Sequence, residues 1–168
     1  MKQRKISDRA LERKDFGLPD NGVVFCSFNN NYKITPYIFD SWMKILNEVE
    51  NSVLWILKSN DKAVRNLKEE AKKRGVNDNR IIIASFMPND EHLKRITLAD
   101  IFLDTFPYNA HTTASDAVRM GVPIITLTGN SFQSRVGASI LKTINMEDLI
   151  TYQKKDYEEL AIELGTKP

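Results

Sequence analysis

The sequence predicts an α/β fold built on a doubly wound parallel sheet, and three observations carry that expectation. Five short apolar runs, at 23–28, 52–57, 80–86, 101–105 and 123–127, read as strands buried on both faces, without the alternation of a half-exposed sheet. Segments of helical spacing or composition separate them, and strands joined through helices pair in parallel. The turn residues between the segments, such as Thr35-Pro36, Gly75 and Gly121, stand where helices start and stop.

Residues 1–20 are polar and lack an apolar stripe, so they read as a linker or the end of a preceding element. The domain proper is expected over 21–168. The run VVFCSF at 23–28 is the first strand, bounded by Asn21-Gly22 and three asparagines. Thr35 is an N-cap with proline at the first helical position. Ile38, Phe39, Trp42, Ile45, Leu46 and Val49 then give one apolar helix face. SVLWIL at 52–57 is the second strand, and the charged helix 61–74 ends at Gly75. RIIIASF at 80–86 is the third strand; Pro88-Asn89-Asp90 opens a short helix over 91–97. The fourth strand, 101–105, leads through a His111-Thr112-Thr113 turn into a helix over 113–120. The fifth strand, 123–127, is followed by helices at 131–143 and 156–164.

Right-handed crossovers make 3-2-1-4-5 the simplest strand order, a Rossmann-like sheet. The 168 residues suit one domain, and 42% apolar with 27% charged residues is ordinary globular composition. A net charge of +2 gives no case for a nucleic-acid partner. Cys26 is alone and sits in an apolar run, so it reads as a small core residue and nothing calls for an oxidising compartment. Without a signal peptide or an 18-residue apolar run, no membrane partner is expected and the chain is placed in the cytoplasm.

In such a sheet, ligands bind beyond the carboxyl ends of the strands where the winding reverses, here between strands one and four. The loops NNNYK at 29–33 and PYNAHTT at 107–113 should therefore face each other, with MPNDEH at 87–92 on the same rim. Thr113 to Asp116 fits a T-x-x-D capping box, and capping alone explains a threonine there as well as phosphate binding does. Lys33 could neutralise a diphosphate as a point charge, though a loop lysine is ordinarily solvated. Asp116 could accept a ribose hydroxyl or complete the cap. Both histidines, His92 and His111, fall on this rim. Neither zinc ligands at suitable spacing, nor a G-x-G-x-x-G, P-loop or D-x-D pattern, is present. A phosphate here is expected to be neutralised by a helix N-terminus and Lys33, with no metal and no cofactor.

The ordered motifs F-N-x-x-Y-K-I (28–34), S-V-L-W-I-L (52–57), E-H-x-x-R (91–95), L-A-D-x-x-L-D-T (98–105), H-T-T-x-x-D (111–116), G-V-P-I-I-T-L-T-G (121–129) and S-R-V-G-A-S (134–139) resemble one family. They are similar to the C-terminal catalytic half of the O-linked N-acetylglucosamine transferases and SPINDLY-like enzymes, which carry tetratricopeptide repeats before a two-lobed GT-B glycosyltransferase. The resemblance runs from about residue 16 to the end.

It implies a metal-independent donor lobe for a UDP-sugar, UDP-N-acetylglucosamine foremost, in an enzyme that glycosylates protein Ser/Thr hydroxyls. By the same resemblance Lys33, Thr112 and Thr113 contact the diphosphate, with Lys33 stabilising it as it leaves. His92 lies by the base with Arg95 near it, Asp116 contacts the ribose, and His111 belongs to the same signature. Asn30 stands where the family has glutamine beside the diphosphate, and Asn89 where it has a ribose-contacting lysine. Those two departures leave GDP-fucose or UDP-glucose open as donor, and a non-catalytic nucleotide-binding or interaction module open as function. The acceptor-side lobe, its general base and the repeats are not among these motifs, so the chain alone is expected to be an incomplete, inactive part of the enzyme.

Overall fold

A computed structural model of the protein describes residues 5–167. The five expected runs form β1 (Val24–Ser27), β2 (Val53–Leu57), β3 (Ile81–Ala84), β4 (Ile101–Leu103) and β5 (Ile124–Leu127). All pair in parallel, in the order expected for them, and the sheet continues by one strand to give β3-β2-β1-β4-β5-β6. The added strand, β6 (Ile150–Thr151), pairs with Thr126 and Leu127 of β5 and is fastened by a hydrogen bond from Thr151 Oγ1 to Thr126 O at 2.9 Å. Two residues make no apolar run, so sequence pattern alone misses it.

The helices are α1 (Pro36–Glu48), α2 (Asp61–Lys73), α3 (Asn89–Ile96), α4 (Thr112–Arg119), α5 (Val136–Thr143) and α6 (Lys154–Thr166). Successive strand residues point to opposite faces, which gives two cores. Phe25, Leu54, Ile56, Leu103 and Ile125 pack with Trp42 and Ile45 of α1 and Tyr157 and Ala161 of α6. Cys26, Trp55, Phe102 and Ile124 pack on the other side with Leu93, Ala114, Ala117 and Leu141 of α3, α4 and α5. Cys26 is fully buried, and burial pushes its thiol pKa well above the usual value, as befits a small core residue.

α1 starts as its sequence predicts, with Thr35 Oγ1 accepting from Ile38 N and proline at its first position. The same hydroxyl donates to Phe106 O at 3.0 Å, which ties this helix to the loop after β4. Far along the chain, α6 returns to lie against α1. Trp42 Nε1 donates to Tyr157 Oη at 3.0 Å, and Ser41 Oγ and Lys44 Nζ both reach the Glu158 carboxylate at 2.7 Å. Gly165 permits the approach, because a Cβ there would lie 2.9 Å from Phe25 Cζ and 3.1 Å from Val49.

The helix expected over 131–143 is broken. Residues Phe132–Ser134 form a single 3-10 turn and α5 begins only at Val136. The carbonyl of Ser134 is taken by Gly129 N at 3.0 Å and Thr128 Oγ1 at 3.2 Å, so it cannot serve as a helix acceptor. The last helix starts two residues before the expected 156. In the segment expected as linker, residues 1–4 lie outside the described ones. Arg13 bonds both oxygens of Asp100, at 2.9 and 2.8 Å, and Phe16 packs on Trp55 at a centroid distance of 5.2 Å. Among the described residues no helix is long and apolar enough to cross a membrane.

Candidate functional site

The loops leaving β1 and β4 meet at the carboxyl edge of the sheet, where the strand order reverses. Asn29 and Lys33 come from the first loop; residues 105–111 and the start of α4 come from the second. The capping box expected at Thr113 is not formed. α4 already begins at Thr112, His111 is its N-cap residue without a side-chain cap, and Thr113 is the second helical residue. The Thr113 hydroxyl instead donates to Asn29 Oδ1 at 2.8 Å. The first turn of α4 is thus left without a side-chain cap at the switch point, the condition in which helix N–H groups and dipole attract an anion.

Lys33 is a buried lysine, 9% exposed, and not a solvated loop residue. Its Nζ donates to Asn109 O at 3.0 Å and stands 4.0 Å over the Tyr108 ring. Burial lowers its pKa, an effect opposed by the nearby Asp104 carboxylate. His111 also has a lowered pKa, first from burial and then from Lys33.

Beneath the loop sits Asp104, fully buried, which sequence reasoning did not single out. Its Oδ1 accepts from both Thr105 N (2.8 Å) and Ala110 N (2.7 Å), while Oδ2 accepts from Thr126 Oγ1 (2.7 Å). Burial raises its pKa to about 7 in spite of these donors and Lys33. The signal for it was the L-D-T end of the fourth apolar run, a carboxylate where a strand should be leaving a dry core. Asn29 was missed as well. It is 2% exposed and its Nδ2 has no partner, as is also true of His111 Nε2 among the described residues. Asn30, selected by sequence, is exposed.

Asn89, His92 and Arg95 form a second group, on the β3 side. Asn89 is the exposed first residue of α3. Arg95 is 2% exposed; its Nε donates to His92 Nδ1 at 2.9 Å and its Nη1 to Ser85 O at 2.6 Å. Arg95 therefore holds the histidine and the β3 exit from inside the protein. Accepting at Nδ1 leaves the neutral imidazole with its hydrogen on Nε2. Burial, and then the Arg95 charge, push the His92 pKa down to about 4. The His92 ring packs on Phe28 at 5.3 Å, so the residue preceding Asn29 joins the two groups. Asp116 is buried in α4, 7% exposed. A separate cavity of about 760 Å³, lined by Thr128, Asn130, Phe132, Arg135 and Tyr152 among others, shares no residue with either group. Among the described residues no set of three or more His, Cys, Asp or Glu side chains could hold a metal ion.

The chain is 36% identical over 154 residues to the UDP-N-acetylglucosamine–peptide N-acetylglucosaminyltransferase of Caenorhabditis elegans, an alignment covering 92% of this chain and 13% of that protein. It is 36% identical over 155 residues to the probable enzyme of the same description, SEC, of Arabidopsis thaliana, covering 92% of this chain and 16% of that one. The chain thus spans about a seventh of the length of these curated relatives. Among solved structures, an O-GlcNAc transferase variant from Thermobaculum terrenum superposes with a TM-score of 0.83 at 31% identity, over 86% of this chain and 28% of that one. WaaG, a glycosyltransferase involved in lipopolysaccharide biosynthesis, matches at a TM-score of 0.70 over 98% of this chain and 45% of its own, but at 16% identity it speaks for the fold alone. The sheet is that of a GT-B glycosyltransferase lobe. The family model for glycosyl transferase family 41 matches residues 5–168, and the chain belongs to that family.

Proposed function

We propose that this chain is the donor-binding lobe of a protein O-glycosyltransferase and holds a UDP-sugar, UDP-N-acetylglucosamine foremost, by its diphosphate. One observation carries the reading: a buried ammonium, Lys33 Nζ, is held on the carbonyl of Asn109, three residues ahead of a helix whose first turn has no side-chain cap. Two sources of positive potential then converge where a diphosphate would lie. As the sugar leaves, charge grows on the diphosphate, and Lys33 with the N-terminus of α4 stabilises it without reorganisation. Thr112 and the unpaired Nδ2 of Asn29 supply further donors. His92, fixed by Arg95 with N–H at Nε2, presents a neutral donor to the base, and Asp116 and Asn89 serve the ribose side.

No metal is needed for charge balance in this reading. The protein acceptor, the general base and the tetratricopeptide repeats belong to other parts of a cytoplasmic enzyme. The activity of the relatives supports the donor, and the fold supports the position of the site.

Calorimetric titration of the chain with UDP, GDP and UDP-N-acetylglucosamine tests this. UDP is expected to bind, and Lys33→Ala to weaken it about tenfold or more, the worth of one charge-assisted hydrogen bond. Preference for GDP would move the donor to a GDP-sugar. No binding of any of the three at millimolar concentration would overturn the reading.

A further inference from the structure

Above the Asp104 midpoint of about 7, the peptide unit joining Asn109 to Ala110 is gripped from both sides by opposite charges. Its N–H donates to Asp104 Oδ1 at 2.7 Å, and its C=O accepts from Lys33 Nζ at 3.0 Å. A peptide dipole has its positive end at N–H and its negative end at C=O, so an anion at one and a cation at the other polarise it in the same sense, and each bond strengthens the other. Asp104 also brackets the loop, since the same oxygen accepts from Thr105 N at 2.8 Å. The loop is further stitched by Asn109 Nδ2 to Thr105 O at 2.8 Å and Thr105 Oγ1 to Tyr108 O at 2.6 Å. The position that carries Lys33 is therefore built on a carboxylate that cannot itself reach solvent.

The surroundings of Asp104 are specific. Lys33 faces it from the turn after β1, with His111 beyond Lys33. Tyr157 comes from α6, its hydroxyl donating to Asp104 O at 3.0 Å. β5 meets it with Thr126, and α5 with Gly137, where a Cβ would stand 2.6 Å from Asp104 Oδ2. A side chain on α5 at that point would displace the carboxylate, so the glycine keeps room for it.

We propose that Asp104 is the positioning residue of the diphosphate site: it acts on Lys33 through the Asn109–Ala110 peptide and fixes where the ammonium stands. This rests on the donor-lobe reading and adds to it a residue that touches no substrate. Asp104→Asn keeps an oxygen for the two backbone N–H groups, removes the charge, and reverses the contact with Thr126 Oγ1, which must then accept from the amide. With the carboxylate gone from its neighbourhood, the Lys33 ammonium loses a charge that opposes the effect of its burial.

Two measurements test the proposal, one of them without nucleotide. In the unaltered chain, the Ala110 amide and the Lys33 ε-carbon, followed by NMR against pH, are expected to shift with one common midpoint, that of Asp104. A titrating Ala110 amide beside an unmoved Lys33 overturns the coupling. The second measurement is a double-mutant cycle on UDP affinity. Asp104→Asn is expected to weaken UDP binding about fivefold with Lys33 present and to have no weakening effect in the Lys33→Ala chain. Equal weakening in both backgrounds, or none in either, would show that Asp104 acts independently of Lys33. If the chain binds no nucleotide, the donor reading fails while the NMR titration still decides the Asp104–Lys33 coupling.

Discussion

The Thr113 hydroxyl reaches across the switch point to Asn29 Oδ1 at 2.8 Å, joining the first turn of α4 to the exit of β1. These residues are 84 positions apart, and the bond closes the two halves of the sheet at the place where the ligand is proposed to lie. Thr113 lies inside the helix and not at its cap position, and His111, which does stand there, provides no side-chain cap.

Thr113→Val removes the donor and leaves a buried asparagine oxygen unpaired. The expected cost is about 1–3 kcal/mol of stability, read from urea midpoints at constant slope. UDP affinity is expected to fall with it, because Asn29 loses the partner that orients its amide. Unchanged stability would show that the bond is replaced by water at no cost.

His92 links pH to folding. It stays neutral in the folded chain down to about 4, whereas its ordinary pKa is 6.5. Above the ordinary value both states are neutral and the shift contributes nothing. Below it, the unfolded chain takes up a proton that the folded chain refuses, so stability falls across the window from 6.5 to about 4. Asp104 works in the opposite sense. Held protonated up to about 7 against an ordinary 3.8, it favours the folded chain increasingly as pH drops between those values. His92→Gln keeps an acceptor for Arg95 and removes the first effect alone. Relative to the unaltered chain it is expected to gain stability at about pH 5 over what it shows at about pH 7.5, measured by thermal unfolding at both. An equal change at the two pH values would deny His92 this role.

Gly137→Ala would press a methyl group against Asp104 Oδ2 and Thr126 Oγ1. Overpacking of this kind costs about 1–3 kcal/mol, a drop of roughly 2–10 °C in Tm for a chain of this size. The accompanying loss of UDP affinity should match that of Asp104→Asn in direction. A Tm equal to that of the unaltered chain would mean that α5 shifts to make room.

The sheet was legible because β1, β2, β4 and β5 are buried along nearly their whole length, and runs such as VVFCSF and RIIIASF leave few other readings, although the edge strand β3 is half-buried. Strand order followed from the handedness of crossovers. The sixth strand was not legible, since Ile150-Thr151 is too short to carry a pattern. The site was legible in outline through Lys33, His92 and the His111-Thr112-Thr113 turn. Its detail was not. Three consecutive asparagines look alike in sequence, and only the turn into the Asn31–Lys33 helix decides that Asn29 faces inward while Asn30 faces out. Asp104 was hidden for a similar reason: a carboxylate at a strand end reads as the start of a loop until the loop is seen folded back over it.

The return of α6 onto α1 has a consequence for how the chain is made. Trp42 and Ser41 find their partners at Tyr157 and Glu158, separated from them by 115 and 117 residues. A nascent chain emerging from the ribosome can assemble β1, α1 and β2 early, but one face of that assembly stays wet, with an indole N–H and a serine hydroxyl unclaimed by protein. α1 is therefore completed by α6, and the core on that side of the sheet closes only when synthesis has passed α6.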